Sequence, residues 1–342
     1  LQVAAHDVSY RSGQVRTTKG TRVNTLSTAP TLDALIREID RYHLTPGWIP
    51  RAKPLLWPEM QSAFVPAHWR YADARSGMQA AGRLIGTDLA ERRNFVMRNP
   101  IPGNDTATLR TLICAYQSIL PGEKARSHRH ASHALRVILE AQGAFSVVDG
   151  VKHPMESGDI VLTPGGCWHG HGHDGDEQAF WFDGLDVPLT HLLEPMFFDE
   201  HPQGFEPVLQ EDLRSPNRFA WKDTLQAVSE AEIDPWFGGT VQLPAPLMPT
   251  IQLTVHGWPA GWRNRPFRHS ANTILVVMKG QGRSVIGDHC FDWQFGDTLA
   301  VPAWTRIAHE SHDDSVMFAM SDEQLMRWSR YYRFEALDGD PV

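Results

Sequence analysis

Cysteine is scarce in this chain. Its 342 residues hold three, Cys114, Cys167 and Cys290, far apart and in no Cys-x-x-Cys pair. That excludes a disulfide framework and a zinc knuckle, and it fits a reducing cytoplasm. Long apolar runs are also missing. The longest stretches, such as residues 273–278, are too short to cross a bilayer as a helix, so no membrane partner is expected. The first twenty residues lack the apolar core of a secretory signal. The chain starts at Leu1 and not at methionine, which leaves its natural start open. Positive charge is not concentrated either. Lysine and arginine total 32 against 40 acidic residues, a net charge of −8, and no basic run could track a phosphate backbone. No nucleic-acid partner is expected. What is left is an ordinary globular composition, 42% apolar and 21% charged, long enough for one large or two ordinary domains.

Residues 1–107 read as a helical and irregular arm. Residues 32–39 carry apolar side chains at helical spacing behind Thr31, a good cap, and Pro46-Gly47-Trp48-Ile49-Pro50 breaks the pattern. A second helix is expected across residues 84–95, starting near Thr87 or Asp88. From about residue 108 the texture changes. Short runs of branched and aromatic residues (111–120, 135–140, 145–148, 160–163) alternate with Gly, Pro and Asp turns, the pattern of an all-β unit over 108–187. Residues 188–248, rich in proline and acidic side chains, read as a connector. A second β-rich region fills 249–342.

The two β-rich regions look like an internal repeat. Residues 130–143 lie over 269–282 without a gap, Gly158-Asp159 matches Gly296-Asp297, and Pro164 matches Pro302. Two copies of one β-barrel follow, each able to hold a pocket in its mouth. The chemistry concentrates in the first copy, in Gly122-x5-His128-x-His130 followed by Gly158-x5-Pro164-x-Gly166-x2-His169. Residues two apart on a strand face the same way, so His128 and His130 point together into the barrel, and His169 arrives from a later hairpin. Three neutral imidazoles on one side of a metal leave its other side open, a set that suits Fe(II), Mn(II) or Zn(II). A lone His-x-His would be weak evidence among 17 histidines; the flanking glycines, the proline and the third histidine make the pattern specific. Arg136 lies six residues beyond His130, an even step, and so faces inward too. A guanidinium there can hold a carboxylate by paired hydrogen bonds. Gly280-Gln-Gly282 lacks the rest of a dinucleotide loop and reads as a barrel turn.

Both blocks match the cupin motifs, and their duplication makes a bicupin: a mainly β fold of two double-stranded β-helix, or jelly-roll, barrels with an N-terminal helical segment. Cupins often carry a glutamate ligand a few residues after the His-x-His. Here that place holds Ala134, Leu135 and Arg136, which implies a three-histidine site. Leu120-Pro-Gly-Glu123, His128-Arg-His130, Trp168-His-Gly-His171 and Trp181-Phe-Asp-Gly-Leu-Asp186 together resemble the gentisate and salicylate 1,2-dioxygenase family. The likeness extends upstream to Glu91-Arg92-Arg93 and Asn99-Pro100. It implies Fe(II) with no organic cofactor, a small aromatic hydroxy acid and O2 as partners, and a homotetramer. It also implies cleavage between the carboxyl-bearing and hydroxyl-bearing ring carbons.

The same resemblance implies residue roles. His128, His130 and His169 hold the metal. Arg136, Arg92 and Gln117 meet substrate or oxygen, though Arg92 reads equally as a helix-surface charge. His171 acts as an acid/base or donor near the metal, with a solvent-exposed loop histidine as the alternative, and His173 is expected to face solvent. Asp183 orients His171 or an arginine, unless it is a turn aspartate before Gly184. Ile113 stands where relatives often have a larger flat side chain, and Ala115 is more gentisate-like than salicylate-like. Gentisate is the first expectation, with 5-substituted salicylates and 1-hydroxy-2-naphthoate behind it. In the second barrel Phe267 replaces His128, Leu275 replaces Arg136, and Ile307 replaces His169; His269 survives and His309 lies nearby. That half is expected to be structural. The competing classes are an oxalate-decarboxylase-type bicupin, a zinc isomerase, and a storage or ligand-binding bicupin.

Overall fold

The structure, a computed structural model, describes residues 25–50, 55–87, 89–90 and 92–339. Residues 1–59 form one unit and residues 60–342 another. In the first, helix Leu32–Asp40 starts as its sequence predicts: the Thr31 hydroxyl accepts from the Ala34 amide at 3.2 Å. No helix among the described residues is long and apolar enough to cross a membrane.

The helix expected over 84–95 is a correction. The helix instead spans Tyr71–Leu84, and Arg93–Val96 is a strand paired antiparallel with Ile113–Ile119. Two internal glycines, Gly77 and Gly82, lower the local helix propensity and hide the element in the sequence. Gly77 is there for packing: a β-carbon on it would sit 2.6 Å from the Phe95 ring, which presses onto the helix from the strand. Asp88 and Glu91 lie outside the described residues.

The larger unit is mainly β, as expected, and contains two barrels. In the first, Arg218–Phe219, Ile160–Thr163, Ala134–Glu140, Ala179–Leu185, Ile113–Ile119 and Arg93–Val96 form one sheet in that order. The facing sheet is built around Lys124–His130, His169–His173 and Ala144–Val148. The second barrel repeats the plan. Its larger sheet is centred on Thr273–Lys279, Ser315–Ser321 and Gln252–Trp258, and its smaller one on Gln281–Ile286 and Ile307–Ser311. Strands from the stretches read as arm and connector also join these sheets, Arg93–Val96 and Arg218–Phe219 among them. Ala67–Trp69, in the stretch read as an arm, edges the second barrel by pairing with Thr298–Val301. Gly238–Leu243, in the stretch read as a connector, pairs with Gln252–Trp258. Short edge strands like Ala67–Trp69 carry little signal of their own, because a partner distant in sequence supplies their ladder.

The main core lies between the barrels, where the first barrel's sheet that carries Ala134–Glu140 packs against the second barrel's larger sheet. Strand Ala134–Glu140 shows how. Leu135, Val137 and Leu139 turn outward and join Ile274, Val276 and Phe318 in one apolar cluster. Ile138 turns inward, into a smaller cluster with Val161 and Trp181. A strand buried on both faces reads as a continuous apolar run, and the charge inside it must find a partner within the barrel. Each outward leucine contributes about 1.5–3 kcal/mol by burial. Polar ties cross the same interface: the Tyr116 hydroxyl donates to the Gly296 carbonyl at 2.8 Å, and Thr111 donates to Asp322 at 2.6 Å.

Candidate metal centre

His128 and His130 stand on strand Lys124–His130, and His169 on His169–His173, with His128 directly opposite His169. A register shift between Ala125 and His128, where Arg126 and Ser127 face Gly170 alone, sets which side chains turn inward. The ligand atoms of the three rings lie within 4.8 Å of one another. Each ring is oriented through Nδ1 by a backbone carbonyl: Arg126 for His128 (3.3 Å), Ser132 for His130 (2.9 Å) and Cys167 for His169 (3.1 Å). A carbonyl only accepts, so Nδ1 carries the proton and Nε2 bears the lone pair that can bind a cation. His169 Nε2 is buried and meets no hydrogen-bond partner, an arrangement that is costly without a metal on it.

Burial sets the charge state. It holds His128 down at about 3, helped by Arg92, and His130 at about 4; His169 lies well below the usual histidine value through burial and then Arg136. All three are neutral near pH 7, as ligation requires. Phe198 stacks on His128 with ring centroids 5.1 Å apart. It comes from strand Phe198–Glu200, which pairs with the ligand strand from within the stretch read as a connector. No sequence signal marked it.

Several of the other expected residues form a connected polar group, and its arginines act on the triad's charge. Arg136 is 1% exposed, so the sequence's even-step argument is met by a fully interior guanidinium. Its Nη1 donates to Thr163 Oγ1 at 2.6 Å, and its Nε lies 3.6 Å from Asp183 Oδ1. Asp183 Oδ2 accepts from Gln117 Nε2 (2.7 Å), and Gln117 Oε1 accepts from Arg92 Nε (2.7 Å). The line Arg92–Gln117–Asp183–Arg136 thus fixes two guanidiniums with one amide and one carboxylate. Burial lowers Arg136 to about 10, partly offset by Asp183, and raises Asp183 above the usual carboxylate value; the arginine keeps its charge.

Asp183 is mid-strand, in register opposite Arg136, and not in a turn. It engages the arginine and Gln117, not His171. Arg92 lies on no helix and is half-buried against Gln117. Ile113, Ala115 and Gln117 alternate along one strand and share its face, with Ala115 opposite Asp183.

His171 is buried, not a loop histidine, and neither of its nitrogens meets a partner. Burial and Arg136 hold it well below its usual value. His173 is a correction: it is buried rather than solvent-facing, and Nε2 bonds to the Glu177 carbonyl. Both follow from strand parity, since His169, His171 and His173 share the inner face of one strand. Thr163 was missed: its run was legible as a strand, but its pairing with the strand of Arg136 was not.

The second barrel keeps this geometry with other side chains. Phe267 faces Ile307 as His128 faces His169, and neither offers a donor atom to a metal. Leu275 faces Ala319 where Arg136 faces Asp183. His309 stands where His171 does, opposite Ser284 as His171 is opposite Ser146, and so not at a ligand position. Among the described residues, His128, His130 and His169 form the group able to hold a metal.

A profile of the cupin domain matches residues 115–187. Gentisate 1,2-dioxygenase 1 of Aquipseudomonas alcaligenes is 30% identical over 326 residues, covering 86% of this chain and 94% of that protein. The 5-aminosalicylate 1,2-dioxygenase of a Comamonas species is 29% identical, covering 89% and 90%. The crystal structure of salicylate 1,2-dioxygenase from Pseudoaminobacter salicylatoxidans with gentisate superposes with a TM-score of 0.79 at 26% identity, covering 91% of this chain and 95% of that one. Likeness of this extent runs through both barrels, and a histidine triad in such a fold implies a metal. The chain belongs to the gentisate/salicylate 1,2-dioxygenase family and is a ring-cleaving dioxygenase.

Proposed function

We propose that this protein uses Fe(II) and O2 to open the ring of a 2-hydroxybenzoate between its carboxyl-bearing and hydroxyl-bearing carbons, with gentisate as the first substrate. The observation that carries the proposal is the pairing of three neutral imidazoles, each held by its Nδ1, with two guanidiniums near enough to lower their proton affinity. Mn(II) and Zn(II) suit the same donors; the reaction class favours iron. Bound through His128, His130 and His169, iron(II) would supply open coordination positions and a route for electrons from the ring to O2.

The chain's own residues do the rest. Arg136 holds the substrate carboxylate and offsets its charge where water is scarce. Asp183 and Thr163 keep that guanidinium from swinging, so its cost of ordering is met before substrate arrives. Arg92, fixed by Gln117, offers a second cation. His171 is neutral, interior and without a protein partner, and burial beside Arg136 keeps it from taking up a proton, so its ring N–H is placed to donate a hydrogen bond to bound substrate or oxygen.

A 5-substituted salicylate or 1-hydroxy-2-naphthoate is the second reading. It draws on Ile113, a half-buried aliphatic side chain that shares a strand face with Ala115 and Gln117. The near-equal identity to a gentisate and a 5-aminosalicylate enzyme leaves both open.

Anaerobic purification, Fe(II) reconstitution, and O2 uptake with ultraviolet spectra on gentisate, salicylate, 5-substituted salicylates and 1-hydroxy-2-naphthoate test this. Stoichiometric O2 uptake with a ring-opened chromophore, lost in His128→Ala, is expected. Bound iron with no uptake on any of these would overturn it.

A further inference from the structure

The second barrel holds a cavity of about 210 Å³ at the level where the first holds its histidine triad. Its wall includes Phe267, His269 and Ile307, the counterparts of the three metal ligands, and the facing pair Leu275 and Ala319. Trp236, Phe237 and Trp258 add aromatic surface. An engineered cavity of about 150 Å³ holds benzene, so this one has room for one ring and a substituent.

Two imidazoles and one indole of its wall present N–H donors. His269 Nδ1 accepts from the Ala271 amide at 3.3 Å, which in a neutral ring leaves the proton on Nε2. Ser284 accepts from Trp293 Nε1 (2.9 Å) and lies 2.7 Å from His309 Nδ1; with the hydroxyl hydrogen donated to that nitrogen, His309 carries its proton on Nε2. Both rings line the cavity. The Trp236 Nε1–H is buried and meets no acceptor, an orphan that a ligand oxygen would satisfy. Acceptors come from Thr240 and Thr254. Among the described residues no lysine or arginine lines the space, and Glu323, its one charged lining residue, is tied to Arg327 at 2.7 Å. A carboxylate buried here would lack the counter-charge that Arg136 and Arg92 supply in the first barrel.

We propose that the second barrel is a metal-free binding site for an uncharged single-ring aromatic of the phenol class. The ring lies between the aromatic walls, and its oxygen accepts from the imidazole and indole N–H groups. The site is independent of the iron chemistry assigned to the first barrel.

Fluorine NMR titration of the full chain with 4-fluorophenol and 4-fluorobenzoate tests it. The phenol binds saturably. Ala319→Leu, which fills the cavity, abolishes that binding, and Trp236→Phe weakens it about fivefold, the value of one hydrogen bond. Any binding of the benzoate belongs to the first barrel and is unchanged by Ala319→Leu. Absence of phenol binding, phenol binding indifferent to Ala319→Leu, or benzoate binding removed by it overturns the proposal. Should thermal melting show that Ala319→Leu does not fold, the half-buried Trp236→Phe decides, and an unchanged affinity overturns it.

Discussion

Arg136 and Asp183 are the residues on which the first barrel's interior turns. Both are almost wholly buried, so neither charge has water to fall back on. Asp183→Asn keeps a side chain for Gln117 but leaves Arg136 with no counter-charge. It should cost about 3–5 kcal/mol in urea unfolding. The second barrel shows the apolar solution at the same positions, Leu275 facing Ala319. The double variant Arg136→Leu/Asp183→Ala should therefore recover most of that stability while losing ring cleavage. A double variant no more stable than Asp183→Asn would mean that packing, not the unpaired charge, sets the cost. At this scale the sequence was informative where parity governs: an even step from His130 is enough to turn Arg136 inward. It left Asp183 between His171 and an arginine, and only the register opposite Arg136 selects one.

Strand His169–His173 is an unusual element, an alternation of histidine and glycine buried throughout. The histidines face in. The glycines face out, and they are small because other side chains lie over them: a β-carbon on Gly172 would stand 2.3 Å from the Phe145 ring. Gly172→Ala should cost about 1–3 kcal/mol through overpacking. The cost should shrink in a Phe145→Ala background, read by urea denaturation of all four members of the cycle. An equal cost in both backgrounds would show that the ring is not the cause. Elements with their own strong pattern, such as helix Leu32–Asp40 and strand Ala134–Glu140, were legible in the sequence. Helix Tyr71–Leu84 was not, since Gly77 answers to Phe95 of the next element and Gly82 to Leu120, further along the chain.

Across the whole molecule, the two barrels use buried neutral histidines for different ends. In the second, burial holds His256 and His269 at about 4 and His309 at about 3, against about 6.5 in an unfolded chain. Below about pH 6.5 the unfolded chain takes up protons that the folded one refuses, so stability is lost as pH falls toward 4 and is unaffected above. Each histidine steepens that fall by up to about 1.4 kcal/mol per pH unit. Urea midpoints at pH 7, 6 and 5 should drop progressively, and His256→Gln should flatten the trend. By itself the sequence determined the two barrels, the triad and the inward arginine, because repeat spacing and strand parity are local and periodic. Only the tertiary structure decided that Arg92 reaches Gln117, that Phe198 covers His128, that His173 is interior, and that the second barrel keeps an open space. Those depend on registers between strands distant in the chain and on the volume their side chains leave unfilled, which no local pattern records.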